Sequence, residues 1–219
     1  LRMLAHFTQE PALMKAFAAD EDIHKAVAAE VYNVPLADVT REQRGYAKTI
    51  NFGIIYGVSA FGLAARIEGL TQQSAQELII TYNKRFPGIE TFSKQQVQHA
   101  QAYGYVETIL GRRRPITEIN SAIIAQRRAA ERAAGNSVIQ GSAADLIKKA
   151  MVSLHRRMKK EKMQSRMLLQ VHDELVFETP AEVAEREGEI IREEMANAMT
   201  LTVPLKVEVG WGKNWDDAK

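Results

Sequence analysis

The chain has 219 residues, 46% apolar and 26% charged, a soluble globular composition with room for one sizeable core or two smaller lobes. It has no cysteine, which excludes disulfides, thiolate zinc sites and thiol nucleophiles, and neither a run of about 18 apolar residues nor a signal-peptide layout, so the expected setting is cytoplasmic with no membrane partner. The net charge of +2 is uninformative, but Lys148 to Arg166 carries eight basic residues against one acidic and Asp173 to Met199 nine acidic against two basic, which marks either a nucleic-acid surface or two helices with solvated faces.

Leu1 to Phe7 is already apolar and helical in pattern. A short helix over Pro11 to Ala19 ends in Asp20-Glu21-Asp22, and a second over Ile23 to Tyr32 opens with His24. Pro35 and Asp38 mark a loop, after which Thr40-Arg41-Glu42-Gln43 has the form of a capping box and starts another helix. On it Arg44, Lys48, Phe52 and Tyr56 recur every four residues and form one stripe of two cations and two aromatics, while Ala47, Ile50, Ile54 and Ile55 offer apolar surface elsewhere. Two cations one turn apart repel unless an anion lies between them. A polyphosphate would accept a planar fork from Arg44 and a point charge from Lys48, leaving Phe52 and Tyr56 to a sugar or base; an amphipathic helix with solvated cations is the alternative.

Further helices are expected from Thr71 to about Arg85, stopped by Pro87-Gly88, and from Ile89 to Tyr103. Tyr103 to Thr108 has strand or turn character, and Gly111 to Pro115 reads as a basic loop suited either to phosphate contacts or to solvent. From Ala122 the pattern is helical until Gly135-Asn136, where a junction is expected. Asn136 and Gln140 could read minor-groove acceptors, or satisfy backbone groups at that junction. Ala143, Ile147, Ala150, Met151, Leu154 and Met158 then give a helical stripe. Met167 to Val171 and Leu175 to Glu178 are β-prone runs separated by His172-Asp173-Glu174, predicting strand, tight turn, strand with an acidic pair at the tip. Val183 to Met199 predicts an acidic amphipathic helix and Val203 to Trp211 a closing strand.

Three of these stretches carry a resemblance. Arg44-Gly45-Tyr46-Ala47-Lys48 through Asn51-Phe52-Gly53 to Tyr56-Gly57 resembles motif B of the family A DNA polymerases; Asn136 to Asp145 resembles that family's N-x3-Q-G-x2-A-D pattern; and Val171-His172-Asp173-Glu174 resembles its motif C hairpin. The family commonly has a second Arg where this chain has Gly45. The resemblance implies an α+β fold: a mostly helical fingers subdomain plus part of a palm with an antiparallel sheet, divided as a palm-proximal segment 1–21, fingers 22–115 and a C-terminal palm portion 116–219. It implies His24, Arg44 and Lys48 at the triphosphate, Phe52 at the sugar, Tyr56 near the templating base, and Arg132, Asn136 and Gln140 on primer–template DNA. It also implies His172 at the primer end and Asp173 as metal-binding carboxylate, with Glu174 as an auxiliary.

The family's first catalytic motif reads Asp-Tyr-Ser-Gln-Ile-Glu-Leu-Arg, and this chain begins at its final Leu1-Arg2. The expectation is a fragment of a template-directed DNA polymerase that uses two Mg²⁺ ions, primer–template DNA and deoxynucleoside triphosphates. On this reading it is monomeric, and inactive alone because the first catalytic Asp lies upstream. A single-subunit RNA polymerase relative and a non-catalytic duplex-binding module are the alternatives.

Overall fold

The computed structural model describes residues 1–218, apart from the side chain at position 30; Lys219, the end of the tail assigned to the palm portion, lies outside the described residues. The fold is α+β, with nine α-helices and two two-stranded antiparallel sheets among the described residues, and it divides into two compact units, Leu1–Gly141 and from Ser142 onward. None of these helices is long and apolar enough to cross a membrane.

The first unit opens with α1 (Arg2–Thr8), α2 (Pro11–Ala18) and α3 (Ile23–Tyr32). Asp22 caps α3 by accepting from the His24 and Lys25 amides, two of the donors that a helix start leaves without partners. α4 (Arg41–Ile55) starts at the expected capping box: Gln43 N donates to Thr40 Oγ1 at 3.1 Å and Thr40 N to Gln43 Oε1 at 3.0 Å. α4 packs along α3 and buries Ala47, Ile50, Asn51 and Gly53; Ile54 and Ile55 are only partly covered. α5 (Ala60–Ala64) and α6 (Gln72–Arg85) follow, and α6 supplies the fully buried Tyr82.

Pro87-Gly88 ends α6 as expected, but Pro87 is also the first residue of α7 (Pro87–Tyr103), where its missing N–H costs nothing. The basic run is not a simple loop. Tyr105–Glu107 (β1) pairs with Arg113–Pro115 (β2) in an antiparallel hairpin, Val106 opposite Arg114 and Glu107 opposite Arg113. Phe92, Ala100, Val106, Ile116, Ile119, Ala130, Ala134 and Val138 form the core beneath it, each large apolar side chain contributing about 1.5–3 kcal/mol by burial.

The junction expected at Gly135-Asn136 is absent. α8 runs unbroken from Ile124 to Glu161, 38 residues through both Gly135 and Gly141. Each internal glycine costs roughly 1 kcal/mol against Ala, and Ala134, Val138, Ile147, Ala150 and Leu154, all buried along α8, outweigh that cost. Gly141 has a packing reason: a Cβ there would lie 2.6 Å from Thr108 Cγ2.

In the second unit β3 (Arg166–Val171) and β4 (Glu174–Glu178) form a hairpin with Val171 opposite Glu174, and α9 (Ala184–Ala196) follows, with Glu185 and Glu187 in its first turn favourable to the helix dipole. Of the expected stripe, Ile147, Ala150 and Leu154 are buried but Ala143 is exposed. The closing strand predicted over Val203 to Trp211 does not form. Its alternation is correct, but β3 and β4 pair only with each other. Within it Val203 is buried and the Trp211 ring lies against Gly188, where a Cβ would not fit.

Candidate functional site

Five of the singled-out side chains converge on the exposed side of α3 and α4. Burial of Ala47, Ile50 and Asn51 fixes the rotation of α4, so Arg44 and Lys48 are exposed while Phe52 is half-buried and Tyr56 lies at the helix end. The Phe52 and Tyr56 rings stack 6.2 Å apart at 13°, and the His24 ring, from α3, lies 5.7 Å from Phe52. The result is a row of three rings beside two cations.

Arg44 already has an anion. Its Nε donates to Asp22 Oδ2 at 2.5 Å, while Asp22 Oδ1 accepts from the His24 and Lys25 amides at 3.0 and 3.1 Å. Lys48 has no ion pair among the described residues. Burial would raise the Asp22 carboxyl's pKa, but the Arg44 hydrogen bond and the amides of Lys25 and His24 outweigh it and hold the pKa low. The pair is therefore ionised at neutral pH.

His24 is set from behind. Tyr82 Oη donates to Asn51 Oδ1 at 2.7 Å between buried side chains, which turns the Asn51 amide nitrogen toward His24 Nδ1, 3.4 Å away. This pattern assigns the His24 proton to Nε2, leaving an N–H donor on the ring. Desolvation first, then the Arg44 and Lys48 charges, lower the His24 pKa, against an opposing pull from Asp22.

Arg132, Asn136 and Gln140 recur every four residues on α8 and form one stripe about 12 Å long. Arg132 reaches the end of α4: Gly57 has φ +69°, and a Cβ there would lie 2.6 Å from Arg132 Cγ. Conformation and space thus both demand glycine at Gly57. The Asn136 and Gln140 side chains make no hydrogen bond among the described residues. Beside them, Arg112 Nη2 donates to Gly141 O at 3.0 Å, and Arg113 pairs with Glu107 at 2.8 Å and lies over the Tyr105 ring.

The second unit holds His172, Asp173 and Glu174. A two-residue turn, His172-Asp173, joins β3 to β4, and Glu174 is the first residue of β4 rather than part of the tip. His172 adopts a left-handed φ of 53°, uncommon for a non-glycine residue, and Gln170 Nε2 donates to its carbonyl at 2.9 Å. Asp173 is exposed, with no hydrogen bond or ion pair among the described residues. No three His, Asp or Glu side chains gather into a metal-binding group among those residues. Asp173 and the adjacent Glu174 are hard oxygen donors that fit part of a Mg²⁺ shell, not all of one.

Glu187 anchors the base of this hairpin. Its fully buried carboxylate accepts from Gln164 N at 3.0 Å, Ser165 N at 2.8 Å and Ser165 Oγ at 2.6 Å, and Ser165 Oγ also meets Thr179 Oγ1 at 2.9 Å, so both ends of the hairpin are tied. Burial alone would raise the Glu187 pKa, but the hydrogen bonds from Ser165, Gln164 and Arg186 outweigh it and lower it. On the basic stretch of α8, Arg157 pairs with Glu161, Glu193 and Glu194 at 3.0 to 3.1 Å, which ties α8 to α9.

Sequence reasoning missed Asp22, Asn51, Tyr82 and Glu187. Asp22 had a legible signal, an Asp just before the first turn of a helix; the others became visible only through contacts distant in sequence.

The architecture is that of part of a polymerase domain. The chain superimposes on the solved structure described as the POL domain of Pol1 from M. smegmatis, in complex with DNA primer-template and dNTP, with a TM-score of 0.95 and 42% identity over 99% of this chain and 38% of that one. The family model for DNA polymerase family A matches residues 1–217, and the chain belongs to that family. It is 47% identical over 219 residues to DNA polymerase I of Bacillus caldotenax and 47% identical over 218 residues to that of Pseudomonas aeruginosa, in both cases over 100% of this chain. It spans about a quarter of the length of these relatives, 25% and 24%.

Proposed function

We propose that this chain is the fingers and C-terminal palm portion of a template-directed DNA polymerase that transfers deoxynucleotides from triphosphates to a primer end. The observation that carries the reading is the cluster on α3 and α4, His24, Arg44, Lys48, Phe52 and Tyr56, held in a chain of this family. The structural neighbour, a complex with DNA primer-template and dNTP, supports the same partners here.

In this proposal residues 22–115 act as fingers, residues 1–21 lead into them from the palm and 116–219 are palm. Lys48 and the outer nitrogens of Arg44 hold the triphosphate in line, and the Nε2–H of His24 donates to it. The flat side of Phe52 lies against the sugar, with Tyr56 beside the templating base. Arg132, Asn136 and Gln140 follow the primer–template duplex. The amides bond to minor-groove acceptors present on every base pair, which tests duplex geometry without reading sequence. His172 contacts the primer end.

Asp173, with Glu174 beside it, would hold Mg²⁺, which when bound supplies charge stabilisation at the attacking and leaving oxygens. One such carboxylate is not a two-ion site, so the second set of ligands comes from outside these 219 residues and the isolated chain is inactive. The setting is the cytoplasm and the working form a monomer.

The test is primer extension with Mg²⁺ on a primed template, comparing this chain with a version extended upstream through the Asp-Tyr-Ser-Gln-Ile-Glu motif of the family and the thumb. Activity only in the extended version supports the proposal. Activity in the short chain overturns the shared metal site, and inactivity of both overturns the polymerase reading. Ribonucleotide preference would favour an RNA polymerase relative.

A further inference from the structure

We propose that Asp22 is a positioning residue for the triphosphate site, a carboxylate that pins the Arg44 guanidinium and the first turn carrying His24 into one arrangement before nucleotide arrives. The inference rests on the nucleotide-binding reading above. Its two oxygens have separate tasks. Oδ1 accepts from the His24 and Lys25 amides and fixes the start of α3, and Oδ2 accepts from Arg44 Nε on α4.

A carboxylate beside a phosphate-binding arginine has two possible roles. It could stand in for the absent phosphate and be displaced by it, or it could hold the arginine for the phosphate. The geometry favours holding. Asp22 takes Nε, the inner donor of the fork, while the terminal nitrogens Nη1 and Nη2 make no hydrogen bond among the described residues. A placeholder would occupy the outer donors that match a phosphate oxygen pair. Asp22 is also committed through Oδ1 to a helix cap, and leaving Arg44 by rotation would break those two bonds.

Two opposing consequences follow from the pin. Arginine has many rotamers, and an arginine already fixed by folding loses less freedom on binding. Against this, the Asp22 charge offsets part of the attraction that Arg44 and Lys48 exert on a polyanion. Arg44 and Asp22 side chains are 47% and 38% exposed, so water and salt screen the charge term strongly. Positioning therefore wins, and removing Asp22 weakens nucleotide binding although it makes the site more positive.

The experiment separates cap from pin. Asp22→Ser keeps a capping hydroxyl but is too short to reach Arg44, and Asp22→Asn keeps cap and length without the charge. In the upstream-extended polymerase, Asp22→Ser raises the KM for dNTP about three- to tenfold with little change in kcat, the size expected for losing one partly exposed charged hydrogen bond. Asp22→Asn, whose amide N–H₂ meets the Arg44 Nε–H once its one oxygen caps α3, raises it at least as much. In an Arg44→Ala background Asp22→Ser has no further effect. NMR of the 219-residue chain shows a slowly exchanging Arg44 Nε–H that Asp22→Ser abolishes.

An unchanged or lowered KM in active Asp22→Ser enzyme overturns the positioning role while the polymerase reading stands. Equal losses with and without Arg44 overturn it too, because the effect then runs through α3 alone. A fast-exchanging Nε–H in the unsubstituted chain removes the pin itself. If that signal is present but the extended protein uses no triphosphate, the nucleotide reading fails and Asp22 is reduced to packing.

Discussion

Tyr82→Phe isolates a single buried hydrogen bond. Tyr82 and Asn51 are 0% and 1% exposed, and the hydroxyl donates to Asn51 Oδ1 at 2.7 Å, joining α6 to α4. Phenylalanine keeps the ring and its contact with Phe86, 4.8 Å between centroids, so packing is unchanged. What is lost is the donor, and the Asn51 oxygen is left buried and unsatisfied, which costs about 1–3 kcal/mol. With a urea slope of about 2 kcal/mol/M, the midpoint of the first unit falls by roughly 0.5–1.5 M at unchanged slope. The assay is urea unfolding followed by far-UV circular dichroism, with Asn51→Ala and the double variant closing a cycle whose coupling is expected at about 0.5–3 kcal/mol. A loss below about 0.5 kcal/mol would refute the reasoning, because the Asn51 oxygen would then have another partner. The same variant frees the Asn51 amide to turn, so it also loosens the His24 tautomer.

Lys48→Ala in the upstream-extended polymerase should raise the KM for dNTP by about ten- to a hundredfold, the range for one charge-assisted contact, while duplex affinity measured by fluorescence anisotropy stays within twofold. Equal losses in both would place Lys48 on the duplex instead. Glu187→Gln should lower stability at neutral pH, by about 1–3 kcal/mol where the amide nitrogen faces donors it cannot accept from. The sign with pH follows from the lowered carboxyl pKa of Glu187 in the folded state. Its contribution is fully present above the unfolded glutamate value of about 4.3 and is lost as pH falls through the folded value, so the gap between the two proteins narrows in acid. Urea midpoints at pH 7 and pH 4 measure this; a gap that widens in acid would contradict it.

Much of the first unit could be read from the sequence because its signals are local. Thr40 and Gln43 needed only three residues of spacing to announce the start of α4, and both capping-box bonds are present. The β3–β4 hairpin was equally legible from two β-prone runs around a short polar turn. The failures share a cause, which is that a local signal was decided by a distant partner. Gly135 looks like a helix end until the buried faces before and after it are seen on one continuous α8. Val203 to Trp211 alternates like a strand but pairs with no strand among the described residues. Arg113 looked like one of three loop arginines and is instead paired across a hairpin with Glu107.

The same logic revises how the cation stripe works. Spacing alone says that Arg44 and Lys48, one turn apart, need an anion, and it leaves open whether that anion is a ligand. Asp22 supplies one from within the chain, to Arg44 only. This removes the repulsion as an argument for a bound polyphosphate, because α4 tolerates both cations without it. It strengthens a different argument. Asp22 aims Arg44, the Asn51–Tyr82 pair aims His24 from the buried side, and Phe52 contacts the His24 ring and stacks on Tyr56. Solvated surface side chains need no such support, since each fixed torsion costs conformational entropy that folding must offset. Support from fixed neighbours behind an exposed cluster favours the binding site proposed above, and it is the feature of this chain that residue spacing could not show.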